Sequence, residues 1–325
     1  MLISRTPFRI SFFGGGTDYK EYYSEFGGSV LSTSIDKYCY STVRYLPPFF
    51  NYKSQLTYSK IERFCDADEV NHPLVRNALK FIPTDRVQIS YDADLPACSG
   101  IGSSSSFAVG LLQSLHAIHG EYPDKMTLAN EAIYLERELC NEAGGVQDQV
   151  IAAFGGFNRI DFYEDKTEVN PLITSERRLR SLQENLMLIF TGFTHFSGEV
   201  AEEQRSRIKL NIPCLHEMKS MVDIAEKTVL DGDFDDFGRL LNHTWELKKT
   251  LSKIITTDEI EDIYSKALKN GAVGGKLLGA GGGGFMLLYV PKEKQPSVRN
   301  ALPDLKFIPF AFEKTGTQIM YEHND

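Results

Sequence analysis

The sequence predicts an α+β fold made of two packed units that share a cleft. Three observations point there. The chain has 325 residues, more than a single hydrophobic core usually organises. Residues 4–45 read as antiparallel strands joined by glycine turns: an apolar stretch over 8–13, then Gly14-Gly15-Gly16, then Gly27-Gly28 and VLSTSIDKYCYSTVRYL. Amphipathic helical stretches follow, and a late glycine run leads into the buried-type strand FMLLYV.

VQISY, at 87–91, alternates apolar and polar residues as a half-buried strand does, and runs through DADLPACSG into a helix over 103–119. Phe107, Leu111, Leu115 and Ile118 fall on one face of that helix, and Gly120 stands at its stop. A second helix, about 127–140, carries Leu128, Ala132, Leu135 and Leu139 on one stripe. AGGVQDQ follows, with a further helical start at 148–154. The charged stretch SERRLRSLQ then gives way to the apolar strand LMLIF, which is read as the crossing between a first unit, 1–180, and a second, 181–325. Two amphipathic helices, about 211–230 and 234–252, precede the glycine run at 279–284.

Composition narrows the function. Forty-four acidic against 35 basic residues give a net charge of −9, which argues against a nucleic acid or an acidic membrane as the main partner. A pocket for a small anion remains compatible with an acidic protein. No apolar run reaches the roughly 18 residues of a membrane span, and Arg5, Arg9 and the glycine cluster arrive too early for a signal peptide, so a cytoplasmic protein is expected. The five cysteines are odd in number and hold no C-x-x-C pair, so reduced thiols are expected.

Four segments carry candidate chemistry. In the first, Pro96-Ala97-Cys98-Ser99-Gly100-Ile101-Gly102-Ser103-Ser104-Ser105-Ser106, glycines let the backbone turn its N–H groups toward one point. The serines stand at the first turn of a helix, where unpaired N–H groups and the dipole favour an anion such as a phosphate chain. A simple helix cap is the bland alternative. The second is Lys276-Leu277-Leu278-Gly279-Ala280-Gly281-Gly282-Gly283-Gly284. It contains a formal G-x-G-x-x-G, but a strand follows it, so a dinucleotide fold is disfavoured. Five glycines in six positions signal the close approach of another backbone or of a ligand. The third is Arg9 to Tyr19, where Asp18 after a glycine turn suits substrate hydroxyls or, alternatively, an Asx-turn. The fourth is the acidic set Glu136, Glu138 and Asp148. On an α-helix, Glu136 and Glu138 flank the apolar stripe symmetrically, each about 80° from Leu128, and periodicity does not separate them.

Together these segments resemble the GHMP kinase superfamily, the galactokinase, homoserine kinase, mevalonate kinase and phosphomevalonate kinase group. PACSGIGSSSSF is similar to its central Pro-x-x-x-Gly-Leu-Gly-Ser-Ser-Ala-Ala signature, KLLGAGGGGF to its C-terminal glycine motif, and TPFRISFFGGGTDY to its N-terminal sugar-kinase motif. The three stand in the family's order. The resemblance implies an N-terminal domain of the ribosomal protein S5 domain 2 type and a ferredoxin-like C-terminal domain, with ATP and substrate between them. It implies phosphate contacts from Pro96, Ser99, Gly100, Ile101, Gly102, Ser103, Ser104 and Ser105, and Mg²⁺ held by Ser104 and Glu136. Glu136 is preferred to Glu138 because its spacing to Asp148 matches galactokinases. Asp148 would be the catalytic base and Arg9 its cationic partner, an arrangement that keeps a carboxylate ionised.

The substrate expectation follows from a departure. Galactokinases carry a glutamate and a histidine where this chain has Gly15 and Gly16, while Asp18 is retained. Loss of an acid and two side chains leaves room for a sugar with an extended or phosphorylated tail. The N-terminal stretch, LPACSGIGSSSSF and the ending AAFGGFN look most like D-glycero-D-manno-heptose 7-phosphate kinases of bacterial surface-polysaccharide synthesis, which phosphorylate the anomeric hydroxyl. Gly15, Gly16, Thr17, Asp18, Thr194, Gly281 and Gly282 are the implied substrate contacts, and Arg44, Lys37 and Thr194-His195 are candidates for a distal phosphate. A small-molecule sugar phosphate is the expected partner of a monomer or homodimer. The alternatives are a kinase for an unphosphorylated sugar of the fucose or galactose type and a nucleotide-binding regulator that has lost the reaction.

Overall fold

The structure is a computed structural model that describes residues 1–97, 99–193 and 197–323. The chain opens with β1 (Leu2–Phe13), α1 (Lys20–Phe26), β2 (Gly28–Tyr45), β3 (Ser54–Thr57), β4 (Ile61–Phe64), α2 (Pro73–Phe81) and β5 (Val87–Ala93). It continues through α3 (Ser103–Ile118), α4 (Lys125–Tyr134), a π-helical turn (Leu135–Leu139), α5 (Gln147–Phe154), β6 (Phe157–Phe162), β7 (Thr167–Pro171) and α6 (Glu176–Glu184). The remainder is β8 (Leu186–Phe190), α7 (Ser197–Ser206), α8 (Ile212–Leu230), α9 (Phe234–Leu251), α10 (Asp258–Lys269), β9 (Gly274–Leu277), β10 (Phe285–Tyr289), α11 (Gln295–Ala301), β11 (Lys306–Ile308), β12 (Phe312–Glu313) and β13 (Gln318–Glu322).

The first sheet is organised by β2. Its Leu31–Val43 stretch pairs antiparallel with β1, while its other edge takes β6 over Gly28–Thr33 and β5 over Cys39–Tyr45. The opening thus holds two long strands where short ones are expected, with the seven-residue helix α1 between them. Pro7, which has no N–H to give a ladder, stands where the β1–β2 register shifts. From Thr6 onward every residue of β1 is buried, so both faces of the strand are covered. Helices α3 and α5 pack on β1 and β2, and from the second unit α8 reaches both strands and α9 reaches β1.

The second sheet has the order β11-β8-β10-β9, all antiparallel. With helices after its first and third strands, it is the ferredoxin-like arrangement. Helix α9 lies against β9, β10 and β1, and so joins the two units. Its Phe237 packs edge-on against Phe12 and Phe13 at 5.4 and 5.0 Å, extending one apolar core across the junction.

A division after residue 180 falls inside α6, and the chain does not stay in the second unit afterwards. Strands β12 and β13 return to the first sheet, on β2 and β1. The return is anchored by Thr317 N–H on Ala152 O at 2.8 Å and by the Thr6–Thr317 hydroxyl pair at 2.8 Å. It passes against Gly155, whose φ of +66° and ψ of −176° suit glycine alone. A methyl there would lie 2.0 Å from the Thr315 carbonyl carbon. Gly155→Ala is therefore expected to cost about 2–4 kcal/mol in urea unfolding, from overpacking plus backbone strain. An unchanged midpoint would show that the return strand is not seated as described.

Candidate active site

The site is built around a guanidinium. Arg9, on β1, reaches Asp148, in the first turn of α5, through two parallel bonds of 2.6 Å: Nε donates to Oδ1 and Nη2 to Oδ2. Nη1 donates to Gly100 O at 2.6 Å, and the Arg9 backbone N–H donates to Ile101 O at 3.1 Å. One residue thus fixes the carboxylate and the glycine turn together. The guanidinium and the N-terminal turn of α5 thus place positive charge beside the Asp148 carboxyl group. Gly102 has to be bare: it has φ +76°, and a methyl there would stand 3.1 Å from Arg9 Cγ and 3.3 Å from Asp148 Oδ2.

Gly102 also forms the N-cap of α3 and provides no side-chain cap, so the first N–H groups of the helix have no capping side-chain acceptor. Gly100, Gly102, Ser103, Ser104 and Ser105 line a cavity of about 730 Å³. Pro96, Ser99 and Ile101 do not line it: Ser99 Oγ donates to Pro96 O at 2.6 Å, and the Ile101 side chain is part of the core. The turn is locked from behind by the second glycine motif. A methyl at Gly100 would lie 2.5 Å from Leu278 O, one at Gly279 2.5 Å from Gly100 Cα, and one at Gly284 2.2 Å from Ser99 O. The close partner of the late glycine run is therefore the phosphate-type turn itself.

Glu136 lies on the π-helical turn, where Cys140 N–H bonds back five residues to Leu135 O. The wider turn breaks the α-helical symmetry between the two glutamates. Glu136, 1% exposed, faces the cavity, whereas Glu138 is exposed and lies outside the lining. Glu136 accepts from Ser105 Oγ at 2.7 Å and from Gln149 Nε2, both neutral. Ser104 is exposed at the cavity and does not bond Glu136. Among the described residues no cation pairs with Glu136, and no cluster of three or more His, Cys, Asp or Glu side chains forms. A buried carboxylate without a counter-charge, beside an open serine and a phosphate turn, fits Mg²⁺, which keeps waters and substrate phosphates as its other ligands.

At the other end, Asp18 is 1% exposed and accepts N–H bonds from Gly16 at 2.9 Å and Gln147 at 3.2 Å. Burial, and then the charge of Asp148, raise its pKa above the usual carboxyl value. Gly15 and Gly16 line the cavity with it, flanked by Ser11 and Gln147. Thr17 turns inward, because its hydroxyl closes the glycine turn on Gly14 O at 2.8 Å and Ser29 O at 3.0 Å. Gly281 and Gly282 also leave the lining, since both pack on Ile255, with Gly282 N–H on Ile255 O at 2.8 Å. Gly279 and Ala280 stand in the wall instead. Arg44 bonds Gln88 on the surface and Lys37 pairs with Asp36, both outside the cavity. Thr194 and His195 lie outside the described residues.

Two lysines in the wall were not singled out by the sequence. Lys248 Nζ donates to Leu277 O at 3.0 Å and to Gly279 O, and Lys276 Nζ donates to Ser11 O at 3.1 Å and Phe12 O at 2.9 Å. The readable signal for Lys248 was its place on the buried stripe of α9 with Leu241, Thr244, Trp245 and Leu251. Burial, and then Arg9, push Lys276 down to about 7, while burial, and then Lys276 and Arg9, hold Lys248 well below an ordinary lysine.

The sequence matches the family models "GHMP kinases N terminal domain" over residues 72–156 and "GHMP kinases C terminal" over residues 221–306. The D-glycero-alpha-D-manno-heptose 7-phosphate kinase of Campylobacter jejuni is 30% identical over 334 residues, 97% of each chain. The galactokinase of Pyrococcus furiosus is 24% identical over 340 residues, 92% of this chain and 91% of its own. Among solved structures, a D-glycero-D-manno-heptose 1-phosphate kinase from Bacteroides thetaiotaomicron shares the fold with a TM-score of 0.82, at 24% identity over the whole of both chains.

The depressed Lys276 has a consequence for stability. Between pH about 7 and 10.5 the unfolded chain holds a proton on this lysine that the folded protein does not. Folding stability therefore rises with pH across that window, by up to about 1.4 kcal/mol per pH unit for each such lysine. Below about 7 both forms are protonated and this contribution is flat. Lys276→Met is expected to remove its share of the slope in urea unfolding, and a slope equal to wild type would contradict the buried, cation-crowded environment.

Proposed function

This chain belongs to the GHMP kinase family and is a sugar kinase, a phosphotransferase with an alcohol group as acceptor; from that premise we propose that it phosphorylates the anomeric (C1) hydroxyl of D-glycero-D-manno-heptose 7-phosphate. ATP is the donor, Mg²⁺ the metal, and the product the 1,7-bisphosphate. The observation that carries this reading is the Arg9–Asp148 pair, placed in one cavity between the N-terminus of α3 and the bare Gly15-Gly16 wall.

Each residue set has a role its chemistry supports. Backbone N–H groups at Gly102–Ser105 receive the phosphate chain, and aromatic side chains further along the wall, Tyr58, His72, Tyr91 and Phe107, suit a purine face. Burial keeps His72 below the usual histidine range, so a neutral ring is presented there. Glu136 and Ser104 would hold Mg²⁺, which supplies charge neutralisation on the phosphates. Asp148 orients the acceptor hydroxyl and takes its proton as the new O–P bond forms and the β–γ bridge breaks, releasing ADP. Asp18 and its neighbours meet the sugar hydroxyls.

Support for a long, phosphorylated acceptor comes from the bare Gly15-Gly16 stretch of the cavity wall. A methyl at Gly15 would meet only Gln147 Nε2 at 3.7 Å and Ser11 Oγ at 3.9 Å, so a glutamate there would take up room that this chain leaves to the acceptor. The higher identity to a heptose 7-phosphate kinase than to a galactokinase agrees with this. An ATP-consumption assay against heptose 7-phosphates and free hexoses, with the phosphate position read by NMR, tests it. Phosphorylation of heptose 7-phosphate at C1 with a kcat/KM at least about tenfold above any free hexose is expected. Preferential turnover of fucose or galactose would replace the heptose reading, and no C1 phosphorylation of any sugar would overturn it.

A further inference from the structure

Lys248 and Lys276 have no part in the chemistry above, yet they are costly. They are 6% and 4% exposed, both line the cavity, and among the described residues neither pairs with a carboxylate. Each Nζ donates to two backbone carbonyls, and an ammonium has three donors, so each keeps one. Capping carbonyls would require only neutral donors, whereas burial and the charge of Arg9, joined at Lys248 by that of Lys276, press against the ammonium form here and are only partly offset at Lys276 by Asp18. An anion entering beside them relieves both the desolvation and the repulsion.

The place is defined by what the two amines hold. Lys276 sits on Ser11 O and Phe12 O, between Arg9 and the Gly15-Gly16 wall along β1. Lys248 sits on Gly279 O, and Gly279 packs on Gly100 of the phosphate turn. Of the other cations of the wall, Arg9 is committed to Asp148, and Arg137 lies at the Gly144-Gly145 end, where it donates to Glu142 O and Gly145 O and keeps a buried Nε without a partner. We propose that Lys248 and Lys276 together form a binding site for a phosphate monoester dianion, between the Arg9–Asp148 pair and the acceptor end of the cavity. This deepens the proposed function and rests on it for the identity of the ligand. The dianion has two sources with the same chemistry, the acceptor's own phosphate and the phosphoryl group in transit from the nucleotide. If the acceptor's phosphate docks here, this pair takes the place that the surface residues Arg44 and Lys37 do not reach.

Lys248→Gln and Lys276→Gln keep a donor for the carbonyls and remove the charge, which separates a capping role from an anion-binding one. Both variants are expected to bind inorganic phosphate about ten- to a hundredfold more weakly, as loss of a charge-assisted bond requires. If the acceptor's phosphate is the ligand, KM for the sugar phosphate rises at least about tenfold while KM and kcat for free sugars stay put; if the group in transit is the ligand, kcat falls similarly on both. Wild-type phosphate affinity and kinetics in both variants would overturn the site. In wild-type protein carrying ¹³Cε-lysine, inorganic phosphate is expected to move the two buried-lysine resonances. Unmoved resonances would overturn the site even if a variant fails to fold, and this readout is independent of which sugar is the substrate.

Discussion

Arg9 spends every one of its polar contacts on joining parts of the chain that are far apart in sequence. Its side chain ties β1 to the start of α5 through Asp148 and to the turn before α3 through Gly100 O, and its backbone N–H holds Ile101 O. A planar guanidinium with fixed donor directions sets both distance and orientation, which a lysine at this place would not. The carboxylate, the helix N-terminus and the strand leading to Gly15 and Gly16 therefore keep one geometry. Removing the guanidinium would free all three at once.

The second constraint is the absence of side chains. The two glycine turns meet backbone to backbone at Gly100, Gly279 and Gly284, and this contact closes the first unit onto the second at the cavity. Helix α9 completes the junction: Phe237 fills the apolar side and Lys248 reaches the carbonyl of Gly279 on the polar side. Buried charge is concentrated at this seam, with Asp18, Glu136, Lys248 and Lys276 each nine-tenths buried or more. Such groups are destabilising as architecture and are understandable as ligand-binding surface.

Much of this was legible in the sequence because it is local. The helix over 103–118, the strand at 87–93 and the paired helices before the glycine run follow from periodicity, and Arg9, Asp18, Glu136 and Asp148 come together in one cavity. What was not legible depends on non-local pairing or on irregular backbone. Helix α1 is too short to show a period, and β12 and β13 return to the first sheet through contacts more than 100 residues distant. The choice between Glu136 and Glu138 is made by a π turn that a 100° period does not anticipate. Thr17, Gly281 and Gly282 sit within a recognisable motif but serve its packing, a distinction that only the surrounding side chains make. Ser99 and Ile101 are the same case in the phosphate turn.

The central claim is that Asp148, held by Arg9, handles the acceptor hydroxyl while the α3 turn holds the nucleotide independently. The most direct measurement is kcat for Asp148→Asn alongside its affinity for ADP. A fall in kcat of about 10²–10⁴ with nucleotide affinity unchanged is expected. Turnover at the wild-type rate would remove Asp148 from the reaction and contradict the account.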